Sequence, residues 1–199
     1  NDVFTDANVH GSVNNDYTMN AVDLEPDMFF FDVAGLSGKF MFDKTDRSIL
    51  LQSYSDTKIV PVFVEHLIQG WVVTDNEGNR YYFGLSKDQL RKAVDFDIVN
   101  NYSFSTAMAD LGSSVDRPIN TWHLVEIETA TNELIQFTYE IEQPIYYKRG
   151  YDQTISDPPG AICYFSKING RQNQIKEINF RNGKIKFTNA ATAMKAKDG

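Results

Sequence analysis

Along most of the chain, apolar and polar residues alternate over short stretches punctuated by Gly, Asn and Asp. That is the pattern of half-buried strands joined by tight turns. Met28-Phe29-Phe30-Phe31-Asp32-Val33 and Lys39-Phe40-Met41-Phe42 flank Gly35-Leu36-Ser37-Gly38, which predicts a hairpin. Ile49-Leu50-Leu51 and Ile59 to Val64 predict further strands. Pro61 lacks an N–H, which places the second of these at an edge or a bulge. Trp71-Val72-Val73-Thr74 and Arg80-Tyr81-Tyr82-Phe83 enclose Asp75-Asn76-Glu77-Gly78-Asn79. Asp75 opening a type I turn, with Gly78 in the left-handed position, predicts a three-residue loop with a bulge. That register sets Val73 opposite Tyr81 and Trp71 opposite Phe83.

The alternation breaks at Ser86. Ser86 as N-cap, Gln89 completing a capping box, and Leu90, Ala93 and Val94 at helical spacing predict a short helix. Asp95 to Leu111 reads as irregular. Strands resume at Thr121 to Ile127 and Leu134 to Tyr139, and an irregular excursion from Gln143 to Gly160 carries three prolines. Asn182-Gly183 predicts a type I′ turn with Phe180 opposite Ile185 and Ile178 opposite Phe187. The class is therefore mainly β: an antiparallel sandwich or strongly curved multi-stranded sheet built from hairpins, with one or two short helices. Residues 1–24 are rich in Asn and Asp and read as an extended or poorly ordered lead-in. Residues 25–188 read as a single β-rich domain, and residues 189–199 as a tail or linker.

Composition narrows the chemistry. A chain of 199 residues can bury a core without metals or disulfides, and the lone Cys163 excludes an internal disulfide framework. The formal charge of -8 argues against general affinity for nucleic acid or anionic membranes. No apolar run approaches the roughly 18–20 residues of a spanning helix. No signal peptide is present, so any export signal lies outside this segment.

Two stretches resemble each other. Leu124 to Thr138 and Ile175 to Thr188 align with one gap, matching Glu126 with Glu177, Ile127 with Ile178, Ile135 with Ile185 and Phe137 with Phe187. The match suggests a hairpin module used repeatedly, or only the Ile, Phe and Asn that any two hairpins share. Glu25-Pro26-Asp27-Met28-Phe29-Phe30-Phe31 and Gly35-Leu36-Ser37-Gly38-Lys39-Phe40-Met41-Phe42-Asp43 carry a wider resemblance. With Gly78 to Gly84, Thr121 to Leu124, Ile135 to Tyr139 and Lys184 to Phe187, the chain resembles a β-rich bacterial domain. In large RHS/YD-repeat surface proteins that domain precedes the repeat arrays. The resemblance implies a structural module of an exported, cell-surface or secreted polypeptide, with neighbouring domains of the same chain as partners. It implies no catalytic residues and no cofactor. The stretch after Phe187 departs from the family pattern.

No residue set has metal-ligand spacing, and no phosphate loop, dinucleotide fingerprint or nucleophile elbow is present. His123 shares a strand face with Val125 and Ile127 and reads as a packed, hydrogen-bonded histidine. Glu126 with Glu128, and Glu140 with Glu142, put two carboxyls on one strand face, as glycoside hydrolysis requires. A solvated strand face has the same pattern. Tyr146-Tyr147-Lys148-Arg149-Gly150-Tyr151 reads as an aromatic, cationic loop. Tyr146, Tyr147, Arg149 and Tyr151 are the candidate ligand-binding residues, suited to a surface glycan or protein. The expected function is non-enzymatic and structural, with a ligand-binding module as the alternative and a glycoside hydrolase behind it.

Overall fold

A computed structural model describes residues 27–43, 45–52, 56–104, 108–113, 119–154 and 160–188. The lead-in at 1–24 and the tail at 189–199 lie outside the described residues. The chain divides into two compact units, Asn1–Ser55 and Asp56–Gly199, where the sequence reading draws one domain over 25–188.

In the first unit, β1 (Phe29–Val33), β2 (Leu36–Phe42) and β3 (Ile49–Leu51) form an antiparallel sheet in that order. Val33 pairs with Leu36, so the turn is Ala34-Gly35, both at positive φ. Gly38 lies in the strand opposite Phe31, and a Cβ there would meet the Phe31 ring at 2.7 Å. Its glycine is a seat for an aromatic ring rather than part of the loop. Phe29 stacks on Phe40 at 5.2 Å between ring centroids, and Phe40 is buried.

The second unit is one large antiparallel sheet. Its strands are β4 (Lys58–Val64), β5 (Leu67–Thr74), β6 (Arg80–Phe83), β7 (Val94–Phe104), β8 (Met108–Ser113), β9 (Ile119–Trp122), β10 (Leu124–Glu128), β11 (Leu134–Glu142), β12 (Ile145–Thr154), β13 (Gly160–Phe180) and β14 (Gly183–Lys186). The main path runs β4-β5-β6-β10-β11-β13-β7-β8, with β12 and β14 paired to β13 and β9 paired to β7. The mainly β class holds, and no helix occurs among the described residues.

The β5–β6 hairpin folds as its turn chemistry dictates. Trp71 faces Phe83 and Val73 faces Tyr81, Gly78 has φ +88°, and the Asp75 N–H donates to Asn79 O at 3.1 Å. The Asp75 carboxylate accepts from the Asn79 N–H at 2.8 Å, Asn79 Nδ2 at 2.8 Å and Tyr81 Oη at 3.0 Å. Burial opposes this charge, but those hydrogen bonds outweigh it and hold the carboxyl below its ordinary pKa. Pro61 pairs with Trp71 on β4, the terminal strand of the path, as its missing N–H requires.

Strand β13 is the spine. Its 21 residues, at about 3.3 Å each, reach about 70 Å. β11 and β12 pair with it in succession, from Gln136↔Asn179 to Glu142↔Gln172 and then from Ile145↔Asn169 to Thr154↔Gly160. Pro144 interrupts this long ladder, and its carbonyl accepts the Gly170 N–H at 2.9 Å. The excursion read at 143–160 is thus largely strand, because alternation in Ile145 to Thr154 outweighs the flanking prolines. β7 and β8 likewise occupy the stretch read as irregular.

The closing hairpin has a different register from the one expected. Phe180 pairs with Gly183 and Ile178 with Ile185, so the turn residues are Arg181-Asn182. Neither Asn182 nor Gly183 has positive φ. A slip of two residues leaves every side chain on its original face, so the hydrophobic pattern cannot separate the registers. The observed one lets the Phe180 ring lie over Gly183, where a Cβ would sit 3.3 Å from it.

Candidate functional site

The expected helix at 86–94 is instead a short loop folded back as a bridge. Leu85 pairs with Lys92, the Ser86 N–H donates to Arg91 O at 3.0 Å, and the Gln89 N–H donates to Ser86 O at 2.9 Å. Ser86 Oγ accepts the Arg91 N–H, and Asp88 Oδ1 accepts the Leu90 N–H, both at 3.0 Å. Gln89 has φ +60°, which a helix does not accommodate. Residues suited to a helix cap are equally suited to bonding a turn, and the turn prevails here. At the loop's root Gly84 has φ +76°, and a Cβ there would lie 2.5 Å from both Gln69 O and Trp122 Cδ1.

The loop brings cations to the paired carboxylates Glu126 and Glu128. The two residues are 3% and 6% exposed, so they are not a solvated strand face. Register places Glu126 beside Tyr82 and Glu128 beside Arg80. Glu128 accepts from Lys87 Nζ at 2.6 Å, Tyr82 Oη at 2.9 Å and Arg80 Nη1 at 3.3 Å. Arg91 Nη2 donates to Glu126 Oε2. The Lys87 hydrogen bond lowers the Glu128 pKa, against desolvation and with help from Tyr82. Glu128 reciprocally raises the pKa of Lys87. The Tyr82 hydroxyl is pushed up by burial and by its bond to Glu128. Chemically this is an ionic clamp holding the 85–92 loop to β6 and β10. A carboxylate with three donors and a lowered pKa is poorly suited to deliver a proton.

A second polar group surrounds His123, between β9 and β10. Its Nε2 lies 2.8 Å from Asp95 Oδ2. That nitrogen nevertheless has no aligned hydrogen bond, so the Asp95 carboxylate lies close to it but off the ring's N–H direction. Asp95 Oδ1 accepts from the Asn173 N–H and from Asn173 Nδ2, each at 2.8 Å. Asn173 Nδ2 also reaches Val94 O at 2.8 Å. The Tyr139 ring lies 5.2 Å from His123, and its hydroxyl donates to Leu124 O at 2.7 Å. Burial, and then Asp95, push the Tyr139 hydroxyl up to about 12. The group ties β7, β11 and β13 to the start of β10. The sequence signal for it was slight, since Asp95 and Asn173 are 78 residues apart.

The aromatic candidates lie on strand β12 rather than on a loop. Tyr146 is 43% exposed and donates from its hydroxyl to Asp97 Oδ2 at 3.2 Å; Tyr147 is 67% exposed. Tyr146 pairs with Ile168 and Tyr147 with Lys167, so successive tyrosines point to opposite faces. Arg149 and Tyr151 continue the strand opposite Phe165 and Cys163, and their side chains lie outside the described set. Glu140 and Glu142, the second carboxylate pair, are exposed on β11. No group of three or more metal-ligating side chains converges among the described residues. No helix among them is long and apolar enough to cross a membrane.

Comparison with family models, with curated proteins and with solved structures finds no match.

Proposed function

We propose that this chain is a non-enzymatic structural module of a larger, RHS-like exported polypeptide, packing against neighbouring β structure of the same chain. The side-by-side placement of its hairpins supports the reading. β5–β6, β10–β11 and β13–β14 lie next to one another in one sheet, because β6 pairs with β10 and β11 with β13. Apolar positions on one face line up from strand to strand as Val73, Tyr81, Ile127 and Ile135. A second row contains Phe137, Ile178 and Ile185. Sequence specificity is spent on turns, on apolar rows and on the clamp at Glu126 and Glu128. Surface or extracellular placement and bacterial origin belong to the same proposal and rest on the resemblance.

A ligand-binding role is the second reading, and the exposure of Tyr147 on edge strand β12 favours it. Assaying the chain against a panel of surface polysaccharides tests both. The structural reading expects neither turnover nor saturable binding. Turnover abolished by Glu128→Gln would overturn it in favour of a hydrolase. Saturable binding abolished by Tyr147→Ala would overturn it in favour of a glycan-binding module.

A further inference from the structure

The apolar face that the hairpins share does not end where burial ends. At the β5–β6 side Val73, Trp71 and Tyr81 are buried, whereas at the β14 side Phe180, Ile185 and Phe187 are 41%, 49% and 44% exposed. β14 pairs only with β13 among the described strands. The Phe187 N–H turns back to Lys176 O at 2.9 Å. By antiparallel alternation the N–H groups of Lys184 and Lys186 therefore point to the open side. The side chains of Lys184 and Lys186 share one carboxylate, Glu177, at 3.7 Å and 3.8 Å. The edge is thus apolar on one face and cationic on the other.

Resting on the structural reading above, we propose that β14 is the joining edge and that its occupant is an antiparallel strand alternating apolar with acidic residues. The fold already contains strands of that kind. β10 reads Leu-Val-Glu-Ile-Glu, with Val125 and Ile127 alternating with Glu126 and Glu128. The corresponding part of β13 carries Glu177, which faces Lys186 across the ladder. β6 receives β10 and β11 receives β13, a second strand to a first strand each time; β14 is likewise the second strand of its hairpin, and among the described strands only β13 pairs with it. A second copy of β14 is the poorer occupant. Antiparallel self-pairing centred on Ile185 puts Lys184 opposite Lys186 of the other copy, and like charges directly opposite are unfavourable.

The test adds the sequence Leu-Val-Glu-Ile-Glu after Gly199, so that residues 189–199 act as the tether and raise its effective concentration. A scrambled version with the two glutamates adjacent serves as the control. Amide exchange at Lys184 and Lys186 should slow at least about tenfold with the alternating strand and not with the scrambled one. Lys184→Pro removes one outward N–H at an edge position that tolerates proline, and it should abolish the protection at Lys186. Equal exchange with the two appended sequences would overturn the proposal. Concentration-dependent protection of the unextended chain would also overturn it, by making a second copy the occupant. Either failure leaves the structural reading standing with its joint at another edge, whereas turnover in the polysaccharide assay would remove that reading whatever β14 does.

Discussion

Replacing Glu128 by Ala tests the clamp directly. The substitution removes the acceptor for Tyr82 Oη at 2.9 Å and for Lys87 Nζ at 2.6 Å. Lys87 and Arg80 are about half exposed, with side-chain values of 54% and 51%, so both recover water as a partner and add little to the cost. Tyr82 is 6% exposed and does not. A buried hydroxyl left without its partner costs about 1–3 kcal/mol, and the lost bond was to a charged acceptor, so the expected loss is about 2–3 kcal/mol. Glu128→Gln keeps an acceptor near Tyr82 and should cost about 1 kcal/mol. Urea unfolding followed by circular dichroism measures both. Limited digestion with trypsin gives an independent local readout, because Lys87, Arg91 and Lys92 are cleavage sites on the clamped loop. Cleavage there should quicken in Glu128→Ala before any other site does. A variant within a few tenths of a kcal/mol of the native chain, with an unchanged cleavage pattern, would refute the reasoning that the carboxylates hold the loop.

Other expectations follow from the same contacts. Gly84→Ala should destabilise by about 2–4 kcal/mol in urea unfolding, since it combines positive φ with a clash against backbone and Trp122. Gly183→Ala should cost less than about 1 kcal/mol in urea unfolding, because its φ is not positive and only the exposed Phe180 ring must shift to admit a Cβ at 3.3 Å; a loss of several kcal/mol would contradict the register. Trp71→Ala should cost about 3–5 kcal/mol, as Trp71 is 5% exposed and packs edge-on against Trp122 at 5.8 Å. The pH profile has two limits with different causes. The Glu128 pKa is lowered in the folded chain, so its contribution is full above the ordinary value of 4.5 and is lost as pH falls through the folded value. The Tyr139 pKa is raised from 10.0 to about 12, so its contribution is full below pH 10 and is lost as pH rises toward 12. Thermal midpoints across pH should therefore fall on both sides, and Tyr139→Phe should soften the alkaline limb alone.

How much was legible varied with how local the cause was. The β5–β6 register was readable because Asp75, Gly78 and Asn79 determine the turn within five residues and agree with the flanking aromatics. The β13–β14 register was not, because an Asn-Gly pair and a Phe-over-Gly pair favour registers two residues apart with identical faces. The 86–94 segment was misread because Ser86, Asp88 and Gln89 serve a turn as well as a helix cap. What decides between them is distant: Lys87 and Arg91 are bound by carboxylates 41 and 35 residues away. Glu126 and Glu128 are visible as a pair, but no local pattern shows that they are buried, since the segment that brings Lys87 and Arg91 to them reads as a helix. Strand β12 was hidden by Pro144, Pro158 and Pro159 at its flanks, although its own residues alternate. Its tyrosines therefore stand on a paired strand with backbone fixed by β13, not on a free loop.

The proposed structural role requires that this sheet be continued by neighbouring structure. Amide hydrogen exchange on this chain alone, and on the longer polypeptide that the proposed structural role supposes, is the decisive comparison. The account predicts that interior strands such as β6 and β10 exchange alike in both, while Lys184 and Lys186 on β14 become protected in the longer protein. Identical exchange along every edge strand in the two proteins would contradict it.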